Sequence, residues 1–422
     1  MNSPWPEWLA CLFAALSAVL AAKHDRKWSI PAGLAVLAVS YTGSAGIFLL
    51  PTLAACVVML LKPSSKWGLP LAFMLIGMGA GACWLFPEPA LPPLPGIYKV
   101  GTRILEIPAE GTHPRLSFQI WYPGSGTSTR APWLPDAALA PGFPFHRIKH
   151  ADSRSWSNAP LVDTTSTLPI LFYEHAWMGH RAENVAQVED LASRGFVVIA
   201  IDHPGQATTI LHADGSRTEG KLVSPPDFSS DQAVSDFEAT AERCIANRAN
   251  DLTRVRQALA GNLIPEWKSR LRLDHGGVFG FSFGGTTAIR LCTRDPWFIA
   301  GANEDGFYLS GPPPTVPFLY FDDEIPAWLK QPAAADETPE QRLIRRSDER
   351  TAEAAKTSNA IRLSLDGTRH ESFTDRIYLC PLPRLAKAGR RPAAEIHHTI
   401  ASALTDLFRR TLGPAEQAAG TR

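Results

Sequence analysis

The first 86 residues constrain this chain more than any other stretch. They hold only two acids, Glu7 and Asp25, and five Lys or Arg, and their apolar residues come in long unbroken runs. Such runs predict apolar helices, and length decides whether they cross a bilayer: about 20 apolar residues are needed, about 17 at the least. Four candidate spans follow, at 5–22, 28–42, 47–61 and 67–86. The first and last reach that length and the middle two are short. The middle pair could also be one long segment; two are preferred because residues 41–46 (YTGSAG) are turn-like and Pro51 would disturb a single helix of that length. The first run has almost no positive charge before it and no small-residue cleavage site after it, so it does not read as a cleavable signal peptide.

Basic residues in short loops favour the cytoplasmic side. Lys23, Arg26 and Lys27 fill the first loop, and Lys62 and Lys66 the third. Four spans then place everything after residue 86 outside the inner membrane, whereas a single middle span would place it in the cytoplasm. No ionisable residue falls in mid-span of the kind that marks a transport path, which favours an anchor over a transporter. Over the whole chain 41 basic residues balance 41 acidic ones, so no charge excess points to nucleic acid.

Residues 87–96 (PEPALPPLPG) carry five prolines and read as an extended, semi-rigid linker. The expected organisation is a transmembrane region over 1–86, the linker over 87–96 and one soluble domain over 97–422. In that domain compact apolar runs at 115–122, 169–174, 196–202, 276–281, 298–303, 317–321 and 361–365 read as strands. Helical patterns separate most of them, and a final helix places Ile396, Ile400, Leu404 and Phe408 on one face. Strands alternating with helices predict a largely parallel sheet covered on both sides. The irregular stretches 124–165 and 204–230 are either a lid over a cleft at the strand ends or local decoration.

The chemistry enters at GFSFGG, residues 280–285. Gly280, Ser282 and Gly284 fit G-x-S-x-G between a predicted strand and a predicted helix, the context of a nucleophile elbow. A Cβ at either glycine would collide with neighbouring backbone, and the helix that follows favours negative charge near the serine. A serine hydroxyl is a weak nucleophile and needs a base oriented by an acid. In this arrangement the acid and then the histidine follow the serine, each after a strand. Asp305 follows the 298–303 run and His370 follows the 361–365 run. Glu304, Asp366 and Asp375 are the competing acids; the other histidines precede the serine or lie on the last helix. An oxyanion needs two backbone N–H donors. Phe283, directly after the serine, supplies one, and the loop EHAWMGH (174–180) the other, at Trp177 or, if the register slips, at Ala176 or Met178.

Six motifs in order, GIYKVGT (96–102), IWYP (120–123), the stretch YEHAWMGHRAENVAQVEDLASRGFVVIAIDHPG (173–205), GFSFGG, NEDGF (303–307) and RHESFTD (369–375), resemble the plasma-type platelet-activating-factor acetylhydrolase family and its bacterial relatives. The resemblance implies an α/β-hydrolase fold, a triad of Ser282, Asp305 and His370, and oxyanion donors at Trp177 and Phe283. It further implies a calcium-independent hydrolase of short or oxidised acyl esters of phospholipids, working through an acyl-enzyme without a cofactor. A carboxylesterase of wider scope, a polyester hydrolase and a non-catalytic lipid-binding protein are the alternatives. The chain departs from the family at Ala176, where glycine is usual, and at Phe281, where histidine is usual. The alanine requires a negative φ. Six cysteines, three in the apolar region and three beyond it, show no C-x-x-C or Cys/His spacing, so no metal is expected. The expected partners are an ester substrate and the bilayer; no feature fixes an oligomeric state.

Overall fold

A computed structural model describes residues 5–42, 46–62, 65–164, 166–220, 223–356 and 359–413. Residues 43–45 of the turn expected between the second and third spans lie outside the described residues. Contacts divide the chain into two compact units.

The helical unit comprises Met1–Ala90, Pro132–Asp152 and Tyr378–Ala386. It thus includes two segments that the sequence reading assigned to the soluble domain. Its helices are α1 (Trp5–Lys23), α2 (Ser29–Thr42), α3 (Leu50–Leu61) and α4 (Gly68–Leu85). Among the described residues one helix, α4, is long and apolar enough to cross a membrane, and Gly46–Leu61 is apolar but shorter. The expectation of four spans is therefore not carried by length: α2 has 14 residues and α3 has 12, because a single turn of 3-10 helix over Gly46–Leu49 takes the start of the third run. Ala10, Ala14, Ala18, Ala32, Ala55 and Ala72 are buried together with Val36, Leu49, Met59 and Ile76, while Leu12, Leu16, Leu34, Leu61, Met78 and Trp84 are exposed. Arg147 and Glu7, both buried, form an ion pair at 2.7 Å, and Arg147 also donates to the Phe86 carbonyl at 3.0 Å. Phe48 stacks on Phe86 at 5.7 Å and on Phe143 at 5.6 Å.

The second unit comprises Leu91–Ala131, Ser153–Ile377 and Lys387–Arg422. Its strands in chain order are β1 (Lys99–Ile107), β2 (Leu116–Gly124), β3 (Arg130–Pro132), β4 (Asp152–Ser157), β5 (Leu168–Glu174), β6 (Val197–Asp202), β7 (Thr209–Leu211), β8 (Arg217–Glu219), β9 (Leu271–Phe281), β10 (Phe298–Glu304), β11 (Phe318–Asp322) and β12 (Ala360–Ser364). Ten of them form one sheet in the order β12-β11-β10-β9-β5-β6-β2-β1-β4-β3, and β7 with β8 makes a separate hairpin. From β6 to β12 neighbours run parallel; β2 is antiparallel to both β6 and β1. The seven runs read as strands are all strands. The short β3, β4, β7 and β8 fall in the stretches read as irregular, and β1 was not marked.

The helices are α5 (Val185–Ser193), α6 (Asp231–Ala260), α7 (Phe283–Arg294), α8 (Pro339–Ala354) and α9 (Ala393–Leu412). Successive side chains of a strand face opposite sides, and β9 shows both layers. Val278 joins the core with Leu252 of α6 and Ala288 of α7, whereas Phe279 packs on Phe408 of α9 at 6.1 Å. The sheet is therefore covered on both faces, and its parallel strands all end at the edge where β9 hands over to α7.

Candidate active site

Strand β9 ends at Phe281 and α7 starts at Phe283, so one residue turns the chain. Ser282 does so at φ 54° and ψ −119°. Such a backbone costs on the order of 1–3 kcal/mol and persists only where the surroundings enforce it. Here the Ser282 N–H donates to Glu304 O at 2.8 Å, and its carbonyl accepts from the Thr286 N–H at 3.1 Å. The two flanking glycines make room: a Cβ on Gly280 would lie 2.6 Å from the Glu174 carbonyl, and one on Gly284 would run into the same oxygen. The hydroxyl is left at the head of α7, where unpaired N–H groups favour negative charge.

His370 opens the short 3-10 turn His370–Phe373 that follows β12. Its Nε2 lies 3.0 Å from Ser282 Oγ and its Nδ1 lies 2.6 Å from Asp305 Oδ2. Asp305 comes directly after β10, at φ 58°, and its N–H donates to Phe321 O at 2.8 Å. Its second carboxylate oxygen accepts the Asp323 N–H at 2.9 Å. The Asp305 side chain is 13% exposed and that of His370 is 48% exposed, so the acid is screened while the imidazole faces the cleft. Burial favours the neutral ring, but the hydrogen bond and charge of Asp305 outweigh it and raise His370 above the ordinary histidine range. Phe281 packs its ring on His370 at 4.7 Å.

The competing acids go elsewhere. Glu304 is buried beneath the sheet end, where burial pushes it up to about 8. Asp375 is buried and accepts the Ala186 N–H at 3.1 Å, near the start of α5. Asp366 is exposed on the turn after β12. Sequence reasoning missed Asp323, which the strand-end rule could have marked because it follows β11 directly. Burial and the Asp305 carboxylate push Asp323 up to about 7.

The loop after β5 brings Trp177 beside the serine turn, with its ring edge-on to Phe283 at 4.8 Å. Ala176 does not have a positive φ, so the residue that replaces the usual glycine is accommodated; the positive φ of this loop falls on Met178, at 53°. Among the described residues, the N–H groups of Trp177 and Phe283 have no hydrogen-bond partner. Ser282, His370 and Trp177 line a cavity of about 450 Å³ whose other walls include Phe228, Phe237 and Phe307. A polar wall carries Asp322, Asp348 and Arg362, the arginine bridging the two carboxylates at 2.6 and 2.5 Å. Of the two irregular stretches, 204–230 contributes Pro226 and Phe228 to the cavity, and no described residue of 124–165 lines it. All six cysteines are buried free thiols, and among the described residues no group of His, Cys, Asp and Glu side chains is disposed to hold a metal ion.

No protein-family model matches the chain. Among solved structures it is similar to a ferulic acid esterase from Streptomyces cinnamoneus, with 21% identity over 79% of this chain and 96% of that chain and a TM-score of 0.58. A dienelactone hydrolase-like promiscuous phosphotriesterase from metagenomic libraries matches at 15% identity over 74% of this chain and 99% of that one, with a TM-score of 0.39. The first likeness, taken with the strand order and the serine turn between β9 and α7, makes the second unit an α/β-hydrolase fold.

Proposed function

We propose that the chain is a membrane-anchored serine ester hydrolase. The observation that carries this reading is the hydrogen-bonded series Ser282 Oγ, His370 Nε2, His370 Nδ1, Asp305 Oδ2 at 3.0 and 2.6 Å on an enforced turn. His370 takes the Ser282 proton as Oγ adds to the ester carbonyl, and Asp305 holds the imidazole in the right tautomer and steadies the imidazolium. The oxyanion accepts from the Phe283 and Trp177 N–H groups. His370 then returns the proton to the leaving alcohol, giving an acyl-Ser282 ester. Water, deprotonated by His370, adds to that ester and releases the acid and the free serine.

The substrate class is a short or oxidised acyl ester of a lipid. Its support is the motif series shared with the platelet-activating-factor acetylhydrolase family, together with the confined, ring-lined cavity. Anchoring in a bilayer is supported by the many large apolar residues exposed on α1 to α4, with alanines at much of their mutual contact, as in helices packed in lipid. The basic loops support the placement of the site on the outer side of the cytoplasmic membrane. A second reading, a carboxylesterase for aromatic esters, is favoured by the rings of Trp177, Phe228, Phe237 and Phe307.

The test uses the full chain in detergent or vesicles. It should hydrolyse p-nitrophenyl acetate and become covalently labelled by a fluorophosphonate, and Ser282→Ala should lose both while keeping its melting temperature. Labelling that persists in Ser282→Ala removes the assignment, and an unlabelled wild type leaves the non-catalytic alternative. Preference for acetyl-phospholipid vesicles over feruloyl esters separates the two substrate readings.

A further inference from the structure

In a planar trans peptide the carbonyl of one residue and the N–H of the next point in opposite directions. The loop after β5 uses this twice. The peptide joining His175 and Ala176 is held at both ends: its carbonyl accepts from Arg248 Nη1 at 2.7 Å, and its N–H donates to Glu183 Oε1 at 2.6 Å. The next peptide, joining Ala176 and Trp177, is held at the carbonyl alone. That oxygen accepts from the Gly179 N–H at 3.0 Å and from Arg248 Nη2 at 3.4 Å, and it faces His175 Nδ1 at 2.7 Å. With the carbonyl drawn toward Arg248, the Trp177 N–H is turned the other way, without a partner among the described residues.

Arg248 also reaches the other donor arm, since its guanidinium lies over the Phe283 ring at 4.8 Å. It is a fully buried cation from α6, and its setting is built for it. Nε donates to Gln206 Oε1 at 2.9 Å and Nη1 lies 3.3 Å from Glu174 Oε2. His203 bridges Glu174 and Asp251 at 3.0 Å each. Glu183 accepts the Tyr173 hydroxyl at 2.9 Å on the same oxygen that holds Ala176. A Cβ on Gly179 would lie against the other Glu183 oxygen and 3.0 Å from the Ala176 nitrogen.

We propose that Arg248 and Glu183 are positioning residues that fix the Trp177 amide as a preorganised oxyanion donor, Arg248 through the carbonyls of His175 and Ala176 and Glu183 through the Ala176 amide. The proposal rests on the reading of Ser282 as the nucleophile. A fixed N–H stabilises charge that develops in the transition state and costs no reorganisation when it does so. Its loss should therefore fall on kcat and spare KM.

The full chain is assayed with p-nitrophenyl acetate, with kcat expressed per active site titrated to the end point by fluorophosphonate, so that unfolded protein does not count. Glu183→Leu should lower kcat about 10²–10³-fold, the loss expected for one oxyanion donor, with KM nearly unchanged. It should weaken a trifluoromethyl ketone, whose hemiketal oxyanion on Ser282 needs the same donor, by a similar factor. Glu183→Gln, which keeps an acceptor for Ala176, should recover most of both. Arg248→Lys, which keeps the charge but not the fork that spans two carbonyls, should show the same split in a weaker form. A purely structural role predicts unchanged kcat per titrated site and unchanged ketone affinity in Glu183→Leu and Arg248→Lys, and that result overturns the proposal while leaving Ser282 in place. A wild type that Ser282→Ala shows not to be labelled at Ser282 overturns both.

Discussion

Two aspartates stand at the end of the candidate triad, and their surroundings separate them. Asp305 holds His370 Nδ1 at 2.6 Å, while Asp323 reaches the site through its own N–H on Asp305 and is pushed up to about 7. Asp305→Asn is therefore expected to lower kcat by about 10⁴, the scale seen when the orienting acid is neutralised and the wrong tautomer is favoured. Asp323→Asn and Asp375→Asn should cost less than about tenfold. Steady-state kinetics on the three variants decide this, and the opposite ranking would place the acid at Asp323. The pH profile follows from the same contact. The base must be neutral in the free enzyme, and Asp305 raises His370 above its ordinary value of 6.5. Activity should rise with pH, and the acidic limb of kcat/KM should have its midpoint above 6.5. A midpoint below that value would mean that Asp305 does not hold the imidazolium.

Among the elements, the join of β9 to α7 is the most tightly determined. A Cβ at Gly284 meets the backbone carbonyl of Glu174 on β5, which has no side-chain freedom with which to move aside. Gly284→Ala should cost more than about 4 kcal/mol, the range that marks a backbone collision, and should appear as a large drop in melting temperature or as insoluble protein. A fully soluble variant with unchanged melting would show that the turn has more slack than its contacts imply. The same join explains why the site was legible in sequence. G-x-S-x-G between an apolar run and a helix start is written in adjacent residues, and Asp305 and His370 follow it in order, each marked by the apolar strand run before it. The supports of the oxyanion loop are not. Arg248 acts on carbonyls about seventy positions away, and it sits on the buried face of α6, where with Asp251 it interrupts the apolar periodicity that would have revealed that face. Strands β7 and β8 stayed hidden for a related reason: three residues each, one of them wholly exposed, carry no alternation to read.

At the scale of the whole molecule, the proposed anchoring raises the question of which side of a bilayer the serine would face. The basic residues Lys23, Arg26, Lys27, Lys62 and Lys66 lie at the same two loops of the helical unit, and an even number of crossings would put residue 96 on the far side from them. Alkaline phosphatase fused after residue 96 should be active, and a cytoplasm-dependent fluorescent protein at the same point dark. The reverse pattern would mean an odd number of crossings and a site supplied from the cytoplasm, with the chemistry at Ser282 as proposed.

The helical unit does not consist of the first ninety residues alone. It also takes in Pro132–Asp152 and Tyr378–Ala386, and the first of these contributes Arg147 to Glu7 and Phe143 to Phe48. The chain therefore leaves this unit and comes back to it twice, so no single cut separates the helical unit from the α/β unit. A product shortened to begin after the proline-rich stretch would keep two pieces of a unit whose remainder had been discarded, with Arg147 deprived of Glu7 and Phe143 of Phe48. Loss of the first ninety residues, by deletion or by a protease acting at the proline-rich stretch, would strand both internal segments at once.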